Sequence, residues 1–365
     1  MKFITEFRCP ELAEGLISRI HRESQTKARL MEFCGGHTVT IFRYGIRQAL
    51  PQTLEMVSGP GCPVCVTANA DLDKAIALSQ SPEVIITTFG DMLKVPGSRS
   101  SLEAARADGA DVRMVYSTTD ALRIARENPD RAVIFLGIGF ETTAPTVAAS
   151  VLRAKESGLE NYYILSLHKL CPPAIRAILD SGETRLDGLI CPGHVSTIIG
   201  ARPWESVAHD YHIPCVISGF EPLDILQAVS MLVAQVEKKE ASVEIAYRRG
   251  VRPEGNPEAL RIMEEVFEPG PAQWRGLGEI PGSGLKIRDS YQKFDAEFAF
   301  SIATEPAQEP QGCLCGEILR GVKTPLDCSL FGKTCTPERP IGPCMVSSEG
   351  SCAAYYIYGG SLGGE

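Results

Sequence analysis

Short, near-continuous apolar runs alternate with longer amphipathic stretches from about residue 28 to residue 220. The runs are Leu30–Phe33, Leu54–Ser58, Val84–Thr88, Val112–Tyr116, Ala132–Leu136, Tyr162–Leu167, Gly188–Cys191 and Cys215–Ser218. Runs this short and this apolar predict parallel strands buried on both faces, and the stretches between them predict helices. The alternation defines an open, doubly wound α/β fold. A Gly- or Cys-rich loop follows many of the strands, before the next helical pattern.

The strands fit one sheet or two smaller ones. Asn128-Pro129-Asp130 offers a seam between halves, and Gly139-Phe-Glu-Thr142 and Gly219-Phe-Glu-Pro222 form a faint internal echo, each after a strand and before a helix. After Leu223 a helical stretch runs to about Arg249, and a second follows Asn256-Pro257 to Phe267. From Glu268 the chain turns Pro- and Gly-rich, and a Pro/Gln/Glu linker, Glu305–Gln311, leads into a cysteine-rich tail. At 365 residues the chain exceeds one typical core. The expected division is residues 1–127, 128–222 and 223–365.

Composition narrows the function. Hydrophobic content of 44% and charged content of 22% are those of an ordinary globular protein. A net charge of -9 with no basic stripe argues against nucleic-acid binding. The N-terminus shows no apolar run behind a basic start, and no apolar stretch approaches the roughly 18 residues of a membrane span. The expectation is a cytoplasmic protein without membrane or nucleic-acid partners. In that reducing setting, thirteen cysteines read as ligands and reactive thiols rather than disulfides.

Six cysteines crowd the tail: Cys313, Cys315, Cys328, Cys335, Cys344 and Cys352. A segment with few apolar runs needs something other than its own core to hold it. Four thiolates, Cys313, Cys328, Cys335 and Cys352, suit an iron–sulfur cluster or zinc. Paired CxxC knuckles are absent, and the long irregular spacings suit a cluster better. Cys315 and Cys344 compete for a ligand position.

Near the N-terminus, Cys34-Gly-Gly-His37 ends a strand and opens a helix. The glycines admit close approach of a ligand, and a helix N-terminus is expected to lower the thiol pKa. Cys34 and His37 then suit a soft or borderline metal such as Fe²⁺, or a Cys–His nucleophile pair. Cys62-Pro-Val-Cys65, also between strand and helix, reads as a redox-active or metal-assisting pair. Asp91, Glu141, Thr142 and His194 sit in polar loops at strand ends, which gather at the carboxyl edge of a parallel sheet where ligands bind. Nucleotide fingerprints fail. Gly137-Ile-Gly139 lacks its third glycine, and Asp327 stands where a phosphate loop ending at Gly332-Lys-Thr334 requires glycine.

These motifs together resemble the HypD family of [NiFe]-hydrogenase maturation factors. The resemblance is carried by Cys34-Gly-Gly-His37-Thr, Gly59-Pro-Gly-Cys-Pro-Val-Cys65, Phe89-Gly-Asp-Met92, Val95-Pro-Gly-Ser98, Gly139-Phe-Glu-Thr-Thr-Ala-Pro145, Pro192-Gly-His-Val195, Gly219-Phe-Glu-Pro-Leu-Asp224 and Gly342-Pro-Cys-Met-Val-Ser-Ser-Glu-Gly350. It implies two open parallel-sheet α/β domains plus a helical and cysteine-rich iron–sulfur C-terminal domain. It further implies a scaffold for the Fe(CN)2CO unit, with Cys34 the iron ligand shared with a HypC-type small chaperone. Cyanide would come from a HypE-type donor, and the unit would pass to the hydrogenase large subunit. The resemblance also implies a [4Fe–4S] cluster on Cys313, Cys328, Cys335 and Cys352 feeding electrons to Cys62 and Cys65. His37 is a nearby ligand or proton donor. The rivals are an iron–sulfur-dependent thiol–disulfide oxidoreductase and a zinc-stabilised interaction protein. ATPase activity is left open.

Overall fold

The computed structural model describes residues 5–359. All eight expected strands form, within a residue or two of their expected ends: β1 (Ala28–Glu32), β2 (Leu54–Ser58), β3 (Val84–Thr88), β4 (Val112–Met114), β5 (Ala132–Gly137), β6 (Tyr162–Ser166), β7 (Gly188–Pro192) and β8 (Cys215–Ser218). They divide between two parallel sheets. One has the order β2-β1-β7-β8-β9, closed at its edge by β9 (Val243–Ile245), and the other β4-β3-β5-β6. The chain therefore leaves the first sheet after β2, builds the whole second sheet, and returns for β7 to β9.

This arrangement differs from a division at residues 127/128. Strand β5 pairs directly with β3, so Asn128-Pro129-Asp130 lies inside one sheet, as the turn between a helix and the next strand. Residues 223–365 are likewise shared out. The helix Pro222–Lys238 packs on β7 and β8, and the helix Pro257–Val266 packs against the helix Ala144–Glu156 of the second sheet. Two elements depart from the sequence expectation. The helix after Leu223 stops at Lys238, where Lys239 adopts a left-handed backbone, and β9 follows with only three residues. Residues 267–287 form an antiparallel hairpin, β10 (Phe267–Trp274) and β11 (Gly278–Ile287), despite their prolines and glycines. A register shift between Gly270 and Ala272 absorbs the irregular sequence.

Side chains alternate across each sheet, as strand geometry requires. In the first sheet Leu30, Met56, Ile190 and Val216 face one core with the helices Pro10–Glu23 and Pro222–Lys238. Their neighbours Met31, Val57, Leu189 and Ile217 face the opposite side. In the second sheet Ile85, Val133, Phe135 and Ile164 face an outer core, while Ile86, Ile134, Leu136 and Leu165 face the same side as Met31 and Val57. One contiguous apolar core thus joins the two sheets, and the tail cysteines Cys315, Cys335, Cys344 and Cys352 belong to it. Among the described residues no helix is long and apolar enough to cross a membrane.

Candidate functional site

Parallel strands put the loops after β1, β2, β7 and β8 on one edge, and that edge assembles the site. Cys34 occupies the N-cap of the helix Gly35–Arg43 directly after β1. The loop after β2 lies against it, where Gly35 N–H donates to the Gly61 carbonyl at 3.0 Å. A Cβ on Gly61 would stand 2.6 Å from the Phe33 carbonyl carbon and closer still to Cys34 N and Cα. Only glycine allows the two thiol loops to run this close.

Behind Cys34 lies Glu32, fully buried. Its carboxyl accepts Cys34 N–H at 3.0 Å and the Thr38 hydroxyl. Burial pushes its pKa up to about 8. In front lies Glu349 from the tail, its Cβ and carbonyl pressed onto Gly35 so that a methyl there would come within 2.7 Å of Glu349 O. Burial, and then the Asp91 charge, raise the Glu349 pKa. The Cys34 thiol, half-buried, is pushed up to about 12, by desolvation first and then by Glu349. This reverses the expectation of a lowered pKa. The N–H groups of Gly36 and His37 do favour the thiolate, but loss of water and two carboxyls outweigh them.

His37 is fully buried and neutral, its pKa lowered to about 4 by desolvation. Its Nε2 lies 3.3 Å from the Ser218 carbonyl, which fixes the proton there and leaves the Nδ1 lone pair without a partner among the described residues. Phe220 is stacked between His37 and exposed His194, with ring centroids 4.9 and 3.7 Å away. Asp91 is exposed at the rim, close enough to act on Glu349. Glu141 is buried after β5, its Oε1 accepting Cys171 N–H at 2.9 Å and its carboxyl also beside the Cys171 thiol; burial raises its pKa to about 7. Cys171, buried beside it, is raised well above the usual thiol value by desolvation, then Glu141, and lies near enough to Cys34 to feel its charge. Thr142 sits half-buried in the turn before Ala144–Glu156, and its side chain makes no hydrogen bond among the described residues.

Cys62 and Cys65 are joined as a disulfide in the first turn of the helix Pro63–Val66, both buried. The sequence left the redox state of this pair open, and the structure shows it oxidised. The helix Pro343–Val346 packs on them, with the Pro343 carbonyl 3.9 Å from Cys65 Sγ. The next residue, Cys344, has its sulfur 2.7 Å from that of Cys315. The thiol of Cys315 is lowered by the Cys344 hydrogen bond first and also by Arg275. Arg275, at the tip of the β10–β11 hairpin, is buried and donates to the Thr67 carbonyl, to Asn69 and to Glu309. The hairpin tip thus wedges between the Cys62–Cys65 helix and the tail.

All six tail cysteines line one small, tight pocket, together with Leu314, Ile318, Leu330, Phe331, Gly342 and Met345. The backbone N–H of Ile341 donates to Cys335 Sγ at 3.4 Å, and Gly342 has no side chain to strike Cys313 Sγ. Soft sulfur donors, an apolar wall and an N–H aimed at sulfur are the donor chemistry of a thiolate-bound metal group, although no three of the described ligand-type side chains are gathered in a metal-holding geometry.

Glu32, Phe220 and Glu349 were not singled out from the sequence. Glu349 and Phe220 lie in motifs quoted above, Ser-Ser-Glu-Gly350 and Gly219-Phe-Glu, which was the one available signal.

The fold and site define a thiol-rich α/β protein with a half-buried cysteine at a strand end, a buried disulfide and a six-cysteine tail pocket. The chain belongs to the HypD family: the model for HypD, hydrogenase formation hypA family, matches residues 11–359. The chain is 48% identical to hydrogenase maturation factor HypD2 of Bradyrhizobium diazoefficiens, over 98% of this chain and 97% of that protein. It is 47% identical to HypD of Rhodobacter capsulatus over the full length of both, and 44% identical to HypD of Escherichia coli over 98% of each.

Proposed function

We propose that this chain is the scaffold on which the Fe(CN)2CO unit of [NiFe] hydrogenase is held while it is built, bound through Cys34. The observation that carries the reading is the convergence on Cys34. Its half-buried thiol is walled by two glycine loops, with Glu349 from the tail against Gly35 and the Phe220 ring, stacked on His37 and His194, against Gly36. Iron(II) replaces the thiol proton, and Glu349 adjoins Cys34 as a carboxyl able to receive it. The buried, unpartnered Nδ1 of His37 supplies a second donor. A mostly open site lets a HypC-type chaperone share the iron and carry it to the hydrogenase large subunit, with cyanide arriving from a HypE-type donor.

Cys313, Cys328, Cys335 and Cys352 would hold a [4Fe–4S] cluster in the tail cavity, supplying single electrons. Cys315 and Cys344 stand between that cavity and Cys62–Cys65. As a dithiol they would reduce the buried disulfide by exchange: their own S–S bond forms, the Cys62–Cys65 bond breaks, and two protons follow the two electrons.

The test is anaerobic infrared spectroscopy of the protein in complex with its chaperone. Cyanide and carbonyl stretching bands are expected for the natural chain and are lost in Cys34→Ala; their persistence in that variant refutes the assignment. The Cys62–Cys65 disulfide favours a second reading, a thiol–disulfide oxidoreductase. Multiple turnover of a disulfide substrate by the Cys34→Ala protein would select it.

A further inference from the structure

A second, small pocket lies on the opposite side of β1 and β2 from the helix Pro222–Lys238, between the sheet and the tail. Arg29, Arg47 and Lys323 line it, together with Ser58, Thr324, Ser351 and Tyr355, and no carboxylate does. The cations are poorly compensated. Arg47 is half-buried and donates only to neutral oxygens, the Tyr355 hydroxyl and the Met56 carbonyl. Neither Arg47 nor Lys323 has a carboxylate within ion-pair distance among the described residues. Arg29 pairs with Glu55 at 3.1 Å through Nη2, but its buried Nε has no partner. The nearby acids act on these cations only beyond ion-pair distance: Asp327 caps Thr324 and feels Lys323, and Glu32, bonded to Thr38, Cys34 and Ser58, feels Arg47.

Three cations line a small, hydroxyl-lined space: Arg29 has one ion-pair partner in Glu55 and an orphan guanidinium N–H, and Arg47 and Lys323 have no direct ion pair among the described residues. Burying a cation with few direct partners is unfavourable, and an oxyanion supplies both charge and several acceptor atoms for a guanidinium fork. We propose that this cavity binds a small oxyanion, of the phosphate or the bicarbonate type. Because Arg29 comes from β1, Arg47 from the helix Ile46–Ala49 between β1 and β2, and Lys323 and Ser351 from the tail, the bound anion fastens the tail to the first sheet.

The test is isothermal titration of the full-length protein, its tail metal retained, with inorganic phosphate and, separately, with bicarbonate, at ionic strength held constant with NaCl. Saturable one-site binding of either anion is expected, and the anion that saturates identifies the tetrahedral or the planar class. Lys323→Gln, at an exposed position that leaves the fold intact, should weaken binding by about tenfold, the usual effect of losing one charge-assisted hydrogen bond. Arg29→Gln should do so at least as strongly, with folding checked by circular dichroism. Absence of saturable heat for both anions overturns the proposal. So does an unchanged affinity in Lys323→Gln, which would mark the anion as bound elsewhere.

Discussion

Replacing Gly61 by alanine tests whether close approach of the two thiol loops builds the site. The added methyl would lie 2.6 Å from the Phe33 carbonyl carbon and nearer still to Cys34 N and Cα. Carbon contacts are comfortable at about 3.5–4.0 Å, so the overlap is about 1 Å. Every atom it meets is backbone, so no rotamer change relieves it. Overpacking of this kind costs about 1–3 kcal/mol. Displacing the loop also strains the 3.0 Å Gly35–Gly61 hydrogen bond, worth about 1 kcal/mol. The sum is about 2–4 kcal/mol. With a urea dependence of about 1–3 kcal/mol per molar, the midpoint should fall by on the order of 1 M. Gly15→Ala is the control. It lies exposed inside the helix Pro10–Glu23 with nothing within 4 Å of its Cβ, so alanine should stabilise by about 0.5–1 kcal/mol. Equal urea midpoints for Gly61→Ala and the natural chain would refute the reasoning.

Other consequences can be measured on the same protein. The Glu32 pKa is raised from 4.5 to about 8, so the folded state holds a proton there that the unfolded chain has released; that stabilisation is complete below pH 4.5 and is lost as the pH rises to about 8. Glu32→Gln should flatten the decline of the urea midpoint between pH 5 and 8, and an unchanged slope would contradict the buried-acid assignment. His37 acts in the opposite sense. Held neutral with a pKa of about 4, it weakens the fold as the pH falls from 6.5 towards 4. Arg275→Gln leaves the Thr67 carbonyl, Asn69 and Glu309 short of donors, and should cost about 2–4 kcal/mol in urea unfolding while speeding reduction of Cys62–Cys65 by dithiothreitol; a disulfide reduced at the natural rate would separate the hairpin tip from the thiol helix. For the tail, Cys335→Ser and Cys352→Ser should lose iron and visible absorbance, while Cys315→Ser should retain both. Iron loss in Cys315→Ser would move that residue into the ligand set.

The eight parallel strands were legible because burial on both faces leaves an unbroken apolar run, such as Val84–Thr88, that depends on no partner. Strand β9 was not, since three half-buried residues, Val243–Ile245, carry no periodicity and continue the preceding helical pattern. The hairpin was hidden for another reason. Pro269, Gly270 and Pro271 read as loop, and only pairing with β11 makes them strand.

The sequence by itself determined the α/β class, the cysteine at the end of β1, the Cys62–Cys65 pair and the six-cysteine tail, because each is a local matter of residue type and spacing. The tertiary structure decided which strands share a sheet and that the second sheet interrupts the first. It placed Glu349 on Gly35, Phe220 between two histidines, and Cys344 between the tail cavity and the disulfide. It also reversed the expected acidity of Cys34, from a thiol favoured by a helix end to one held protonated by burial and by carboxyls before and behind it. Such effects depend on surroundings brought together from opposite ends of the chain, and desolvation exists only once those surroundings have closed.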